Sequence, residues 1–459
     1  MPAGPLESKM VKWRRIINIL FLFYLGPLFL YLGMAAQNAG LVICFILVPF
    51  LSFSLGDPRQ RYLIRKLGIS LVSIWLLWPV FNVISLFFPL RHTLMFPTAN
   101  WPGPLEINHF VRLSGPVYLS QIPSSVGITG AFLWILSQVK RRDRRTFFSY
   151  NAWVLMLAIF CVIFFFYFAY QHFTGFDFRS SQSYLPNMRF PGGSYRIQGF
   201  SGHPLTIAGI SLSLVGFSST LFKKAFIRGS RNQVPLLIIL LTNLFFLFAS
   251  GGRTALFIAL AWLFVVAILG AKNFLRWRVI ILLSIVMLLA TLSLVLFSSV
   301  GQRYLEMVDF NQSGNAPNRL TFWRVHWQMF LDSPLWGQGY SHLTKGVRLM
   351  YYDAMGLRNF PEKFNAHNIF FETLSNIGAL GSLILAALLF RIYFLLKQIC
   401  ASTRTSNSLF HALSVGVALN MAHGFTQNVF FDSGVTVVIM SLLWILVWSA
   451  ADRNRFENE

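Results

Sequence analysis

The chain has 459 residues, of which 55% are hydrophobic and only 12% charged, and its mean hydropathy is +0.59. Soluble domains carry about 25% charged residues, and a soluble protein of this length would need more polar side chains to cover its surface. The composition excludes a water-soluble globular enzyme, a disordered chain and a secreted disulfide scaffold. It predicts an all-α polytopic membrane protein that contacts membrane lipids.

The net charge of +23 could indicate nucleic-acid binding, but the positions of the charges argue against it. Most Lys and Arg residues form short clusters between long apolar runs, which is typical of membrane topology signals. We therefore predict no nucleic-acid partner.

Apolar runs of about 20 residues predict membrane-spanning helices. The sequence contains twelve such runs. They lie at about 16–34, 39–56, 67–90, 116–138, 150–171, 203–222, 234–250, 254–271, 279–299, 368–396, 408–426 and 433–450.

The distribution of basic residues predicts the orientation of these spans. With both termini in the cytoplasm, 24 of the 38 Lys and Arg residues lie in inner segments and 13 in outer ones. Basic residues concentrate on the cytoplasmic side of membrane proteins. We therefore predict a multi-pass protein with an even number of spans and both termini inside.

The predicted outer loops divide the chain into three regions. Residues 1–299 contain nine spans, with outer loops at about 91–115 and 172–202. Residues 300–367 form a large outer loop, and residues 368–459 contain three spans and a cytoplasmic tail. A loop as long as 300–367 is usually functional.

Part of the large loop has the pattern of an amphipathic helix. Residues 317–331 have helical periodicity, and Asp332-Ser333-Pro334 follows as a termination signal. We predict one apolar face, with Arg319 on its flank and His326 near the same side. That face consists of Leu320, Trp323, Trp327, Phe330 and Leu331.

Arg253 lies in Ser250-Gly251-Gly252-Arg253, at the predicted outer N-terminus of a span. A cation at a helix N-terminus opposes the macrodipole, and the outer side also disfavours positive charge. An anion bound by Arg253 and by free N–H groups beside Gly251 and Gly252 would offset both penalties. The alternative is a snorkelling arginine paired with an outer carboxylate such as Asp432.

Two further arginines are predicted on the same outer side. Arg196 precedes the span that begins near His203, and Arg319 opens the amphipathic helix. Singly, each could be a solvated or phospholipid-contacting arginine. Together with Arg253 they could bind a diphosphate, because the arginine fork matches phosphate geometry.

His367 lies in Phe364-Asn365-Ala366-His367-Asn368, where the large loop re-enters the membrane, and Glu372 follows. Histidine is the usual general base near neutral pH. The alternative is that Asn365 caps the helix, Glu372 complements its dipole and His367 is merely interfacial. The five-residue spacing does not imply a His–Glu dyad if both residues are helical.

Motifs for nucleotides or metals are absent from the sequence. It has no P-loop, no HExxH, no Cys/His cluster and no paired outer carboxylates. We therefore predict neither a metal nor a cofactor. Intramembrane acids for a proton relay are nearly absent too, which disfavours a coupled transporter.

Four stretches taken in order resemble the O-antigen ligase and polymerase superfamily of bacterial envelope polysaccharide enzymes. They are Arg196 with Gly199 and Pro204, then Ser250 to Ala255, then Arg319 and Trp323 with Pro334 to Gly339, and His367-Asn368 with Glu372, Gly378 and Gly381. Leu205 stands where the family often has Asn.

The resemblance implies a membrane glycosyltransferase similar to the GT-C type, in the bacterial inner membrane, with its active site facing the periplasm. The donor would be a glycan on undecaprenyl diphosphate. Arg196, Arg253 and Arg319 would bind the diphosphate, and His367 would be the catalytic base. Asn368, Glu372, Trp323, Gly251 and Gly252 would support them.

The resemblance leaves the acceptor open. A ligase transfers the glycan to a lipid A-core sugar, a polymerase to another lipid-linked repeat, and a protein O-glycosylase to Ser or Thr. One dominant outer loop favours the ligase, while the basic loop at 172–202 keeps the polymerase as the main alternative. A transporter or channel is a non-enzymatic alternative.

Overall fold

The computed structural model describes most of the predicted spans and part of the outer segments. The residues it describes are 58–87, 123–138, 150–178, 193–201, 203–270, 315–338, 348, 351–357, 366–401, 404–427 and 432–451. The predicted spans at 16–34, 39–56 and 279–299 and the loop at 91–115 lie outside these ranges.

The regular elements of the described ranges are all α-helices. An isolated β-bridge at Phe176 and Tyr195 is the one extended contact that these ranges contain. The helices are α1 Pro58–Phe87, α2 Ser124–Gln138, α3 Tyr150–Thr174, α4 Pro204–Arg228, α5 Gln233–Ser250, α6 Arg253–Gly270, α7 Asn315–Asp332, α8 Ile369–Cys400, α9 Arg404–His423 and α10 Ser433–Ala451.

Five of these helices are long and apolar enough to cross a membrane, judged by length and composition. They are Pro58–Phe81 within α1, together with α3, α4, α5 and α8. Three shorter apolar helices lie within α2, α6 and α10. The expectation of an all-α membrane protein is therefore confirmed.

Helix α4 lies at the centre of the bundle and contacts α5, α6, α9 and α10. Small residues allow this close packing. A Cβ atom added to Gly216 would lie 3.0 Å from the Cα atom of Gly416 on α9. One turn away, the Asn420 Nδ2 group of α9 donates to the Ser213 hydroxyl of α4 at 2.6 Å. The bond pairs two polar side chains that are both fully buried.

The two ends of the helices differ in charge. The last turns of α4 carry Lys223, Lys224 and Arg228, and the α4–α5 connection carries Arg231. Helix α1 begins with further basic residues at the same end, where Gln60 donates to the Ala450 carbonyl of α10. Every Asp and Glu among the described residues lies toward the opposite end. These are Asp177, Asp332, Asp353, Glu372 and Asp432.

The amphipathic helix predicted at 317–331 is present as α7 and ends at Asp332, as predicted. The predicted apolar face is not the one that packs inward, since Leu320, Trp327 and Leu331 are 64%, 43% and 49% exposed. The buried side chains are Phe322, Val325, His326 and Met329. The residues around Tyr351 and Tyr352 supply their apolar packing partner, and periodicity along α7 cannot indicate where that partner lies.

Helix α8 is interrupted at Gly378, whose φ of 65° and ψ of −173° are not helical. The segment that follows α7 inserts its backbone into this break. The Gln338 N–H donates to the Ser375 carbonyl at 2.8 Å, and the Ala379 N–H donates to the Pro334 carbonyl at 2.7 Å. An uninterrupted helix would pair Ala379 with Ser375 directly. The Leu380 N–H likewise donates to the Leu335 carbonyl at 3.2 Å, so the loop makes three tertiary bonds where the helical ladder is interrupted.

We predict that Gly378→Ala destabilises the protein much more than Gly229→Ala. Gly229 has left-handed dihedrals (φ 65°, ψ 30°), where alanine costs about 1 kcal/mol. Gly378 (φ 65°, ψ −173°) lies in a backbone region that is essentially restricted to glycine, so alanine is strained more there. A Cβ atom at Gly378 would also collide with the backbone of Leu335, whereas Gly229 faces open space. Overpacking adds about 1–3 kcal/mol. Thermal unfolding in detergent measures the difference, and equal melting temperatures for the two variants would contradict the inserted-loop arrangement.

Candidate active site

The segment that carries Arg196 is held between the ends of α3 and α5. The Gln171 side-chain oxygen accepts from the backbone N–H groups of Gln198 and Gly199, both at 3.0 Å. On the other side, the Ile197 N–H donates to the Ala249 carbonyl at 3.1 Å. Arg196 itself donates through Nε to the Ser250 carbonyl at 2.9 Å. This bond fixes the guanidinium beside the α5–α6 turn.

The α5–α6 turn places Arg253 at the first position of α6, where the sequence predicts it. The sequence analysis expected free N–H groups at the glycines, but the N–H groups of Gly251 and Gly252 are both hydrogen-bonded. The Gly251 N–H donates to the Phe248 carbonyl, and the Gly252 N–H donates to the Ser250 hydroxyl. The turn uses these donors because α5 ends in a left-handed Gly251.

The role that remains for Gly252 is steric. A Cβ atom there would lie 2.7 Å from the Cβ atom of Ala208 on α4. The expected alternative partner of Arg253, Asp432, has a different role. Its carboxylate accepts from the Thr206 hydroxyl and from the N–H groups of Gly434 and Val435, so it caps α10 and joins it to α4.

His203 is the N-cap of α4, and its Nδ1 accepts from the Leu205 N–H at 3.3 Å. Loss of hydration, followed by the positive charges of Arg196 and His367, lowers the pKa of His203. Nδ1 acts as an acceptor here, so the neutral ring carries its proton on Nε2. His203 therefore lies between the Arg196 segment and the His367 segment, within reach of both charges.

The backbone before His367 is held from two directions. The Trp323 indole on α7 donates to the Ala366 carbonyl at 3.0 Å, and the Ala366 N–H donates to the Glu372 carboxylate at 2.8 Å. His367 itself has a φ of 47°, the one positive φ of a non-glycine residue in the described ranges. Such conformations persist only when neighbouring contacts enforce them.

Asn368, and not Asn365, is the N-cap of α8. Its side-chain oxygen accepts from the N–H groups of Phe370 and Phe371 at 2.9 and 3.2 Å. Its Nδ2 group donates to the Phe425 carbonyl in the turn after α9 at 3.0 Å. Asn365 lies outside the described residues. Asn368 therefore starts α8 immediately after His367 and ties it to α9.

The end of α9 forms another side of the site. The Gln427 side-chain oxygen lies 3.3 Å from His367 Nδ1. Arg319, at the start of α7, lies close enough to His423 for electrostatic coupling. Loss of hydration lowers the pKa of Arg319 from its ordinary value, although an arginine remains charged at neutral pH. A partly dehydrated guanidinium interacts more strongly with an anion than a fully solvated one.

His326 is fully buried beneath this surface. Its Nδ1 lies 2.8 Å from the Ser375 hydroxyl, and its Nε2 lies 3.8 Å from the Glu372 carboxylate. Burial lowers its pKa to about 4, against the opposing effect of Glu372. His326 is therefore neutral at pH 7 and acts within the packing of α7 against α8.

Two groups of predicted residues thus come together at one end of the helices. Ser250 joins Arg196 to the turn of Arg253, while Ala366 joins Trp323 and Glu372 to His367. The sequence analysis missed His203, Gln427 and His423 as contributors. Only the His-Pro start of α4 carried a sequence signal, because a polar N-cap before proline is typical of a helix start.

The helices and this polar site define a multi-pass, all-helical membrane protein with a cationic site at one end. Residues 237–386 match the family model described as O-antigen ligase. The match includes Arg253, Arg319, Trp323, His367 and Glu372, and it confirms the predicted resemblance to the O-antigen ligase superfamily. Arg196, His203 and Gln427 lie outside it. Curated proteins give no significant match to the chain.

The family match supports a glycosyltransferase-like enzyme of the O-antigen ligase or polymerase type, which acts on lipid-linked glycans in a membrane.

We predict that the stability of the protein falls as the pH is lowered from about 6.5 to 4, in part through His326. The unfolded chain binds a proton near pH 6.5, whereas folded His326 binds it only at about 4. As the pH falls, the unfolded state therefore binds the proton first. The free energy of unfolding decreases by about 3 kcal/mol across this window. Thermal unfolding against pH should show a shallower slope for His326→Gln, and an unchanged slope would contradict a buried neutral imidazole.

Proposed function

We propose that this protein is an O-antigen-ligase-like glycosyltransferase. It transfers a glycan from undecaprenyl diphosphate to an acceptor sugar hydroxyl of lipid A-core at the periplasmic face of the bacterial inner membrane. In this proposal the chain has twelve spans in a GT-C-type arrangement, both termini are cytoplasmic, and the reaction needs no metal or cofactor.

The observation that carries the proposal is the convergence of the arginine and histidine segments. Arg196 and the α5–α6 turn share Ser250, and His203 interacts with the charges of both Arg196 and His367. A donor diphosphate is the kind of ligand that fixed guanidinium groups accommodate. The basic end of the helices lies opposite, which supports a cytoplasmic location for that end.

The proposed reaction is a single displacement. The acceptor oxygen attacks the anomeric carbon while the bond from that carbon to the diphosphate oxygen breaks. The electron pair leaves with the diphosphate, whose growing charge Arg196, Arg253 and Arg319 stabilise. His367 takes the proton of the acceptor hydroxyl. Attack opposite the leaving group inverts the anomeric configuration.

We predict that variants of the three site arginines transfer glycan from the lipid-linked donor more slowly. Arg253→Ala should be nearly inactive, and Arg253→Lys impaired, because lysine keeps the charge but loses the fork. Arg196→Ala and Arg319→Ala should each lower the transfer rate by about one to two orders of magnitude, since a hydrogen bond to a charged group contributes roughly 1.5–3 kcal/mol. Transfer from a purified lipid-linked donor measures these effects.

The matched control is Arg231→Ala, an exposed arginine at the basic end, which should transfer at the wild-type rate. EDTA should have no effect on any variant. Full rates in all three site alanine variants, at normal expression, would disprove the diphosphate-binding role.

We predict that His367→Ala inserts and binds donor but transfers almost no glycan. Loss of a general base costs about 10²–10⁴ in rate, and His367→Gln should be no better because an amide cannot accept the proton. The wild-type rate should fall at acidic pH, because a protonated imidazole cannot accept the proton of the acceptor hydroxyl. Glu372→Gln should show a milder loss, because Glu372 contacts Ala366 and not the reacting atoms.

The lipopolysaccharide gel pattern of a strain that lacks the gene, with or without an inactive variant, distinguishes the two acceptors. Bare lipid A-core with accumulated long lipid-linked glycan on a gel indicates a ligase. Core capped by a single repeat indicates a polymerase.

Retention of more than a tenth of the wild-type transfer by purified His367→Ala would show that the base lies elsewhere.

A further inference from the structure

The two nitrogens of a histidine ring cannot have the same role in base catalysis. A neutral imidazole carries one proton, and only the other nitrogen can accept a proton from a substrate. The group that contacts the first nitrogen therefore decides which nitrogen is the base. At His367, the side-chain oxygen of Gln427 lies 3.3 Å from Nδ1.

The position of Gln427 relative to His367 is fixed by two bonds between the segments that carry them. The Ile369 N–H donates to the Gly424 carbonyl at 2.8 Å, and the Asn368 side chain donates to the Phe425 carbonyl at 3.0 Å. The Gln427 side chain is only 8% exposed. The turn after α9 therefore holds a buried amide against the ring of His367.

We propose that Gln427 is the positioning residue of the catalytic base: it accepts the Nδ1–H hydrogen of His367 and so leaves Nε2 as the nitrogen that deprotonates the acceptor hydroxyl. The inference rests on the proposed function and extends it to the turn after α9. That turn lies beyond the O-antigen ligase match, which ends at residue 386.

A neutral acceptor can orient the ring without adding a negative charge beside it. A carboxylate beside Nδ1 would stabilise the imidazolium and raise the pKa of the base, so that less of it would be deprotonated near neutral pH. The nearby carboxylate, Glu372, accepts from the Ala366 N–H and the Asn376 side chain and approaches His326. It thus holds the backbone before His367, while the amide of Gln427 contacts the ring.

Among the described residues, the other titratable groups that interact with this ring or its neighbours are histidines and arginines. His203, before α4, and His326, on α7, both interact with the charge of His367. Arg196 lies beside His203, and His423, on α9, lies beside Arg319. These groups are unchanged in the test variants, so a shift between variants reports the exchange at position 427.

The test is the pH profile of transfer from undecaprenyl-diphosphate-linked oligosaccharide to lipid A-core, measured with the full chain in proteoliposomes. Gln427→Glu is isosteric. It should shift the acidic limb of the kcat–pH profile to higher pH by about one unit, because the carboxylate stabilises the imidazolium. Gln427→Leu removes the acceptor and should lower kcat about tenfold without moving the limb upward. The matched control is Gln138→Glu on α2, which should change neither the rate nor the limb.

A limb that stays in place or moves downward in Gln427→Glu, with normal thermal unfolding, would overturn the positioning role. If Gln427→Leu fails to fold, the isosteric variant alone decides the question. His367→Ala separates the two levels of the argument. An inactive His367→Ala with no shift in Gln427→Glu refutes the role of Gln427 alone, whereas an active His367→Ala refutes the proposed base itself.

Discussion

The break in α8 at Gly378 is the constraint on which the geometry of the site depends. A helix that opens inside a membrane protein must find new partners for its backbone groups, because lipid offers none. The segment after α7 supplies them through Pro334, Leu335 and Gln338. This exchange joins α7 to α8, and it allows Trp323 and His326 to reach the residues on either side of His367.

Elsewhere in the bundle, glycines allow pairs of helices to pack closely. Gly68 of α1 and Gly130 of α2 contact each other's backbones, as Gly216 of α4 contacts Gly416 of α9. Without a hydrophobic driving force between helices in lipid, such contacts and interhelical hydrogen bonds determine how spans associate. The polar site is thus built on helix ends that small residues hold at short distance, and each end contributes a cap, a turn or a basic side chain.

Much of the fold and part of the site could be predicted from the sequence. In the described ranges the apolar runs predicted the helices, and Asp332-Ser333-Pro334 predicted the end of α7, because spans and helix termini depend on local composition. Arg253 stands at the start of α6 for the same reason. The inward face of α7 could not be predicted, since Leu320 and Trp327 are as apolar as Phe322 and Met329. Their burial depends on Tyr351 and Tyr352, whose position no local pattern records.

The sequence by itself determined that this is an all-helical membrane protein, which side of it carries the excess basic charge, and which arginines and histidine are candidates for a site. These properties follow from hydropathy, charge and short motifs, which act within one helix or one turn. Only the tertiary structure decided that Ser250 joins Arg196 to the α5–α6 turn and that Gln427 contacts His367. Those contacts join residues up to 60 positions apart, and such distances close only when helix packing aligns the ends of separate spans.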